Sequence, residues 1–176
     1  MYVAADLQKK MRLNNGSNLY DQTFEQNILL VFLRHFGCVF CKEALRDLAS
    51  IKTSIEKKGV KIIFVHMATN EIADKYFKEF GFVNALQISD PDKEYYRIFG
   101  LRKGSFTQLY GLQTWVRGFA SENKNNKLEV SKSLGDATQM PGIFYLAQGK
   151  ILDSYIHKLA ADKPDYYKMV ECCLIK

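Results

Sequence analysis

Two cysteines three positions apart carry the clearest chemical signal in this 176-residue sequence. Cys38 and Cys41 form a Cys-x-x-Cys pair that follows an apolar run, Ile28 to Leu33, and a turn at Gly37. Two thiols at this spacing can exchange between a dithiol and a disulfide, and beside an apolar strand they are typical of redox chemistry. The sequence therefore predicts a redox-active pair at positions 38 and 41.

The residues after the pair predict a helix that makes the two thiols unequal. Cys41 begins an apolar stripe at helical spacing, whose later members are Ala44, Leu45, Leu48, Ile51 and Ile55. Cys38 then lies at the start of the helix, where free N–H groups and the positive end of the helix dipole favour a thiolate. We expect Cys38 to be accessible and to attack, and Cys41 to be shielded and to resolve the intermediate.

Three histidines and the pair itself leave alternatives open. Cys38 and Cys41 could bind Zn or Cu(I) together with His35 or His66, because thiolate and imidazole suit both metals. They could also be two ordinary core cysteines. His35, just before the turn, could lower the pKa of Cys38 or shuttle a proton, or it could be structural. His66 ends an apolar run and is expected to pack in the core, and His157 is expected at the surface.

Apolar runs and helix caps predict an α/β fold around the pair. The run before the turn and the run Val60–His66 are hydrophobic on both faces, so we expect two interior strands joined by the helix in a right-handed βαβ unit. The other predicted elements are a short N-terminal helix over residues 1–11, a small hairpin over 13–20, a helix capped by Thr69 or Asn70, a strand over 85–88, a helix with Pro91 at its first position, a short helix over 112–119, a hairpin around Gly149 and a last helix opened by Pro164.

Composition limits the class of protein. The chain is 47% hydrophobic and 25% charged, as globular proteins are, and its net charge of +6 is spread along the sequence without a basic run. We therefore expect no nucleic-acid partner. No apolar run approaches the roughly 20 residues that span a bilayer, and the N-terminus lacks the pattern of a secretion signal. We expect a single domain over residues 1–176, in the cytoplasm, without a membrane partner.

Three segments carry a resemblance to a known family: Leu33–Cys41, Ser89–Gly104 and Pro141–Phe144. With the order of the elements, they resemble the thioredoxin-like superfamily, and within it the AhpC/TSA peroxiredoxin-like proteins, over roughly residues 10 to 176. The resemblance implies a thioredoxin-like α/β fold with a central mixed β-sheet flanked by helices. It also implies that Pro141 is a cis-proline set against the active-site cysteine, with the backbone of Met140 offered to substrates.

The same resemblance implies an activity. It implies a thiol-dependent antioxidant enzyme that needs no bound cofactor or metal, reduces hydroperoxides or disulfides, and is restored by thioredoxin or a small thiol. Arg102 and Arg117 are candidates for the arginine that peroxiredoxins hold near the attacking sulfur, and Arg34 is a third basic residue, on the central strand.

One departure from the peroxiredoxin pattern bears on the reaction. Typical members carry Pro-x-x-x-Thr-x-x-Cys, with a threonine hydroxyl that helps to position peroxide. Here the threonine position holds His35 if Cys38 is matched to the pattern, and Cys38 if Cys41 is matched. Disulfide reduction without peroxidase activity is therefore the alternative to hydroperoxide reduction, and a metal-binding or redox-sensing protein without turnover is a further one.

Overall fold

The structure, a computed structural model, describes residues 3–110 and 132–174. The strands are β1 Asn27–Phe32, β2 Val60–His66, β3 Leu86–Ser89, β4 Gly142–Ala147 and β5 Lys150–Ile156. The helices are α1 Ala5–Lys10, α2 Leu19–Glu25, α3 Val39–Glu56, α4 Asn70–Glu79, α5 Glu94–Ile98, α6 Phe106–Tyr110 and α7 Tyr166–Leu174, with a 3-10 turn at Lys132–Leu134. The helix predicted over residues 112–119 and the candidate Arg117 lie outside the described residues.

The five strands form one mixed sheet in the order β3-β2-β1-β4-β5. The first three are parallel to one another, β4 runs antiparallel to β1, and β5 runs antiparallel to β4. β1 lies at the centre, and its side chains are buried on both faces of the sheet, Leu29 and Val31 on one and Leu30 and Phe32 on the other. The prediction of a central strand covered on both sides is confirmed.

Helices cover both faces of the sheet. Leu45 of α3, Phe77 of α4 and Val170 of α7 belong to the hydrophobic cluster on one face. Leu19 of α2 and Phe99 at the end of α5 belong to the cluster on the other face. In the part of the chain that the structure describes, no helix has the length and apolar character needed to cross a membrane.

Two predicted elements differ from the structure for local reasons. The hairpin expected over residues 13–20 is a single bridge between Arg12 and Asn18, because the Asn18 side chain accepts the N–H of Asp21 at 3.0 Å and begins α2. The helix expected from Pro91 begins at Glu94 instead. There the buried Asp90 carboxylate accepts three consecutive backbone N–H groups, those of residues 94, 95 and 96, and so caps the helix further along the chain.

The Met140–Pro141 bond is trans, since no peptide bond among the described residues is cis, and the expectation of a cis-proline is wrong. The chain runs extended through these residues into β4, and the Met140 N–H donates to the Arg102 carbonyl at 3.1 Å. An extended segment of this kind needs no reversal at the proline. The trans isomer, which is favoured by about 0.5–1 kcal/mol, is therefore retained.

Tyr96 joins the carboxyl ends of the two central parallel strands. Its hydroxyl, fully buried, lies against the carbonyl of Leu33 and also against that of Val65, at 3.1 Å from the latter. Leu33 opens the segment that leads from β1 to Cys38. Tyr96 thus holds the base of the redox turn against the sheet.

We expect Tyr96→Phe to lower the free energy of unfolding by about 1–2 kcal/mol, because the ring remains packed while the buried Leu33 carbonyl loses its donor. Urea denaturation measures the change. Tyr95→Phe is the matched control, since the Tyr95 hydroxyl donates to the Lys10 carbonyl in an exposed position and should matter by less than about 0.5 kcal/mol. Equal losses in the two variants would contradict the role assigned to Tyr96.

Candidate active site

The cysteine pair lies where the central strand passes into the longest helix. Cys38 is the N-cap residue of α3, with extended backbone angles, and Cys41 lies in the first turn of the helix. The turn before them is closed by a hydrogen bond of 2.9 Å from the Cys38 N–H to the His35 carbonyl. The predicted position of Cys38 at the start of the helix is confirmed.

Both thiols are buried, so the expectation that Cys38 is accessible is wrong. Cys38 is 7% exposed and Cys41 is 5% exposed. A distant part of the chain lies beside the pair: the segment between β5 and the start of α7, residues 157–166, which we call the covering segment. Several of its residues line a cavity together with both cysteines and Pro141.

The two thiols differ in protonation as predicted. The pKa of Cys38 is lowered to about 5, chiefly because the Cys41 thiol donates a hydrogen bond to its sulfur. The Arg34 guanidinium and the N–H groups at the start of α3 lower it further, against the opposing effect of burial. The same hydrogen bond, together with burial, raises the pKa of Cys41 well above its usual value. At neutral pH, therefore, Cys38 is a thiolate and Cys41 carries the proton.

Arg34 is the basic residue that the structure brings to the sulfurs. It is 7% exposed, it lines the cavity, and its Nε has no hydrogen-bond partner among the described residues. A buried guanidinium is costly unless a negative charge lies nearby, and the Cys38 thiolate supplies one. The Arg102 side chain is exposed and does not line the cavity, so the structure does not place this predicted residue at the thiols.

His35 shapes the turn. Its Nδ1 accepts the N–H of Gly37 at 3.1 Å, and its own N–H points to the sulfur of Cys41 at 3.4 Å. The ring does not line the cavity and does not contribute to the lowered pKa of Cys38. His35 therefore lies next to the pair, where it stabilises the backbone of the turn that carries Cys38.

Gly135 is a residue of the site that sequence reasoning missed. It pairs with His35 in an isolated bridge, with φ of +120°, and a Cβ atom on it would come within 2.7 Å of the Arg34 carbonyl. Only glycine tolerates both the backbone angle and the close approach. No local pattern marks this glycine, since its contact lies about a hundred positions earlier in the chain.

His66 is a core residue, as expected. Its ring nitrogens lie 3.0 Å from the Ala68 carbonyl and 2.7 Å from Oε1 of Gln87, and burial lowers its pKa to about 4. Within residues 3–110 and 132–174, no group of three or more His, Cys, Asp or Glu side chains is placed to hold a metal ion.

The cavity beside Cys38 is small and polar at selected points. Its volume is about 30 Å³, which is roughly the room of two water-sized groups. Arg34, Pro141 and His157 line it together with the cysteines. The cavity thus presents a thiolate, a guanidinium and an imidazole to a molecule no larger than a few atoms.

His157 is buried, 8% exposed, and its predicted surface position is wrong. The covering segment folds back over the start of α3, where Lys163 pairs with Asp47 of the helix at 3.0 Å. Within the segment, the Asp162 carboxylate accepts the N–H groups of Lys158 and Leu159 and closes a turn. This turn places His157 beside the cavity, and burial lowers the pKa of its ring to about 4.

Comparison with known proteins places the chain in a family. A family model described as AhpC/TSA antioxidant enzyme matches residues 47–158. The chain belongs to this family. Similar proteins include prostamide/prostaglandin F synthase of Danio rerio, 27% identical over 144 residues, which are 80% of this chain and 70% of that protein. Peroxiredoxin-like 2C of Bos taurus is 31% identical over 147 residues, 79% of this chain and 64% of the bovine protein.

A solved structure shares the fold of this protein over nearly its whole length. The bacterioferritin comigratory protein of Xanthomonas campestris matches with a TM-score of 0.65 and 15% identity, covering 99% of this chain and 94% of that one. The predicted thioredoxin-like fold and AhpC/TSA family are confirmed, and the protein is a thiol-dependent, peroxiredoxin-like oxidoreductase. Because the family match begins after Cys41, the roles of the two cysteines rest on their geometry.

We expect Arg34→Met to raise the pKa of Cys38 by roughly one unit or more, because the variant removes the positive charge beside the thiolate but keeps the bulk of the side chain. The pH dependence of iodoacetamide alkylation, mapped to Cys38 by mass spectrometry, measures the shift from about 5. Arg102→Met is the control, since its side chain is exposed away from the cavity, and it should leave the profile unchanged. A larger shift of the Cys38 pKa in the Arg102 variant would mean that Arg102, and not Arg34, stabilises the thiolate.

The buried thiolate also predicts how stability depends on pH. In the folded protein Cys38 stays deprotonated down to about pH 5, whereas a cysteine in the unfolded chain has a pKa near 8.5. Between these two pH values the unfolded chain therefore binds more protons than the folded one. This stabilising contribution is complete above the unfolded pKa and is lost as the pH falls toward 5. The buried histidines titrate in the unfolded chain near 6.5, and Cys41, whose pKa is raised in the folded state, contributes the opposite slope as the pH approaches 8.5. The range from about pH 7 to 8 therefore reports Cys38.

In that range, the unfolding free energy of the reduced protein should rise with pH more steeply than that of Cys38→Ser, by up to about 1.4 kcal/mol per pH unit. Urea denaturation under a reducing agent at several pH values measures both slopes. Cys172→Ser alters an exposed cysteine on α7 and should keep the wild-type slope. A wild-type slope equal to that of Cys38→Ser would contradict a thiolate at Cys38.

Proposed function

We propose that this AhpC/TSA protein reduces small hydroperoxides with Cys38 as the attacking thiolate and Cys41 as the resolving thiol. The observation that carries the proposal is the buried Cys38 sulfur, held as a thiolate between the Cys41 thiol and the Arg34 guanidinium. A thiolate is the nucleophilic form of cysteine, and a guanidinium binds oxygen while keeping its charge at any relevant pH.

In the first step, the Cys38 thiolate attacks the hydroxyl oxygen of the hydroperoxide. The S–O bond forms as the O–O bond breaks, and the attacked oxygen keeps its hydrogen, so that Cys38 becomes a sulfenic acid. The other oxygen leaves with the electron pair and takes a proton from solvent to give an alcohol, or water in the case of hydrogen peroxide. Arg34 stabilises the negative charge as it moves from sulfur to the leaving oxygen.

In the second step, Cys41 attacks the oxidised sulfur of Cys38. Its thiol proton leaves with the sulfenic hydroxyl as water, and the Cys38–Cys41 disulfide forms. Two electrons from thioredoxin or from a small thiol then return the pair to the dithiol. A compartment that keeps thiols reduced, such as the cytoplasm, suits this cycle.

The remaining predicted residues take supporting roles in this proposal. Pro141 forms part of the cavity wall, and His35 holds the turn that carries Cys38. The role of the arginine moves from Arg102 to Arg34, because only the latter lines the cavity.

The size of the cavity favours small peroxides as substrates. The solved Xanthomonas campestris protein is described by its alkyl peroxide reduction activity, and a volume of about 30 Å³ accommodates the O–O unit of such a molecule. The Danio rerio relative is named for prostamide and prostaglandin F synthesis. A precursor of that size would enter only if the covering segment moved away from α3.

A second candidate is disulfide reduction without peroxidase activity. The sequence feature that favours it is the missing threonine of the peroxiredoxin pattern, whose position holds His35 or Cys38. The same thiolate would then attack a disulfide sulfur, and Cys41 would release the mixed disulfide.

Single cysteine variants separate these mechanisms. In Cys41→Ser, the serine hydroxyl can still donate to the Cys38 thiolate, so hydroperoxide should convert Cys38 to a sulfenic acid that persists without its resolving partner. In Cys38→Ser, Cys41 loses the Cys38 sulfur that chiefly raises its pKa, but burial still opposes ionisation, so Cys41 should remain a thiol. Labelling with a sulfenic-acid probe followed by mass spectrometry reads out each position.

Cys172→Ser serves as a control and should form the Cys38–Cys41 disulfide as the wild type does. Sulfenic acid on Cys41 of the Cys38→Ser variant, with none on Cys38 of the Cys41→Ser variant, would mean that Cys41 attacks and Cys38 resolves. If hydroperoxide oxidises neither variant while a disulfide substrate converts the wild type to its Cys38–Cys41 disulfide, the second candidate is the correct one.

A further inference from the structure

His157 reaches the cysteine pair from the far end of the chain and has an unused hydrogen-bonding atom there. It follows β5, it lines the same cavity as Cys38 and Arg34, and more than nine-tenths of it is buried. Its Nδ1 has no direct hydrogen bond among the described residues, although the Asp162 carboxylate and the Leu159 backbone act on the ring and partly offset the effect of burial on its pKa. A buried ring nitrogen in this condition is rare in folded proteins and requires an explanation.

Two residues that line the cavity each carry a buried polar atom without a hydrogen-bond partner among the described residues, and the two atoms differ in character. The Nε of Arg34 can only donate a hydrogen bond, whereas a neutral imidazole keeps one nitrogen with a free lone pair that can accept. Because burial lowers the pKa of His157 to about 4, the ring is neutral at physiological pH. The cavity therefore offers a donor, an acceptor and the Cys38 thiolate within the volume of about two water-sized groups.

A hydroperoxide matches these three groups. It has one O–H donor, an oxygen that leaves, and an oxygen that the thiolate attacks along the O–O axis. A thiolate that attacks along this axis cannot also accept the O–H. The hydrogen therefore needs a separate acceptor, while Arg34 faces the leaving oxygen.

The three carboxylates of the cavity wall are engaged elsewhere, and the first of them, Glu43, has an interaction of its own. Asp47 pairs with Lys163 at 3.0 Å. The Asp162 carboxylate accepts the N–H groups of Lys158 and Leu159 at 2.6 and 2.9 Å. His157 keeps its acceptor available for a ligand.

We infer that Nδ1 of His157 accepts the O–H of the bound hydroperoxide and so turns the attacked oxygen toward Cys38. This inference rests on the proposed function and deepens it. His157 supplies the acceptor that the missing threonine hydroxyl would have supplied, from a different element of the fold. The attacked oxygen keeps its hydrogen throughout, so His157 orients the substrate and gains no proton when the S–O bond forms and the O–O bond breaks.

A substrate preference follows from this contact. Hydrogen peroxide and alkyl hydroperoxides carry the O–H that His157 recognises, whereas disulfides and alkylating agents do not. The contribution of His157 should therefore be visible with hydroperoxides alone.

His157→Leu and His157→Asn form a matched pair for the test, because leucine and asparagine have the same branched shape and only asparagine offers an oxygen acceptor near the position of Nδ1. Stopped-flow oxidation of the reduced protein by tert-butyl hydroperoxide gives the rate at Cys38. We expect the leucine variant to be slower by about tenfold, as for the loss of one hydrogen bond, and the asparagine variant to stay within about threefold of the wild type. Iodoacetamide alkylation of Cys38 should be unchanged in both.

Each other outcome has a distinct meaning. A leucine variant that reacts with the hydroperoxide at the wild-type rate overturns the role of His157 and leaves the proposed function intact. If the leucine variant loses hydroperoxide oxidation and iodoacetamide alkylation of Cys38 to the same extent, His157 has a structural role and the inference is overturned as well. A wild-type protein that tert-butyl hydroperoxide fails to oxidise refutes the proposed function, and the inference with it.

Discussion

The hydrogen bond from the Cys41 thiol to the Cys38 thiolate is the interaction on which the chemistry of this protein depends. Burial alone would raise the pKa of both thiols and leave neither reactive. The hydrogen bond makes the two thiols unequal, because the Cys41 proton stabilises the negative charge on Cys38 and stays bound to Cys41. One hydrogen bond thus sets which sulfur is the thiolate and, in the proposed reaction, keeps the other protonated until a sulfenic acid is present to resolve.

The scaffold keeps that pair in register. Cys38 caps α3, so the helix contributes its N–H groups to the thiolate, and the turn before it is closed by His35 and Gly37. Tyr96 and Gly135 hold this turn from two other parts of the fold, one through hydrogen bonds to strand ends and one through close backbone contact. Cys38 is therefore attached to the central strand of the sheet, which is buried on both faces, so small displacements are resisted.

The residues around the cavity include polar groups whose burial lowers the stability of the fold. A guanidinium nitrogen of Arg34 and a ring nitrogen of His157 are both buried without partners among the described residues, and burying such groups unpaired is unfavourable. In the proposed reaction, a small molecule with one donor and one acceptor supplies both partners. The binding energy of such a molecule is then used at the reacting atoms and not on a distant surface.

The sequence by itself determined the local parts of this protein. The doubly apolar strands, the helix that begins at Cys38 and the position of Cys41 on its buried stripe follow from periodicity and capping, which depend on neighbouring residues. Tertiary structure alone decided that Cys38 is covered, that Arg34 and not Arg102 lines the cavity, and that His157 lies beside the thiols. It also decided the trans bond before Pro141 and the need for glycine at position 135. The positions of His157 beside Cys38 and of Gly135 against Arg34 arise where segments more than a hundred residues apart pack together, and no local pattern in the chain encodes which side chains will meet there.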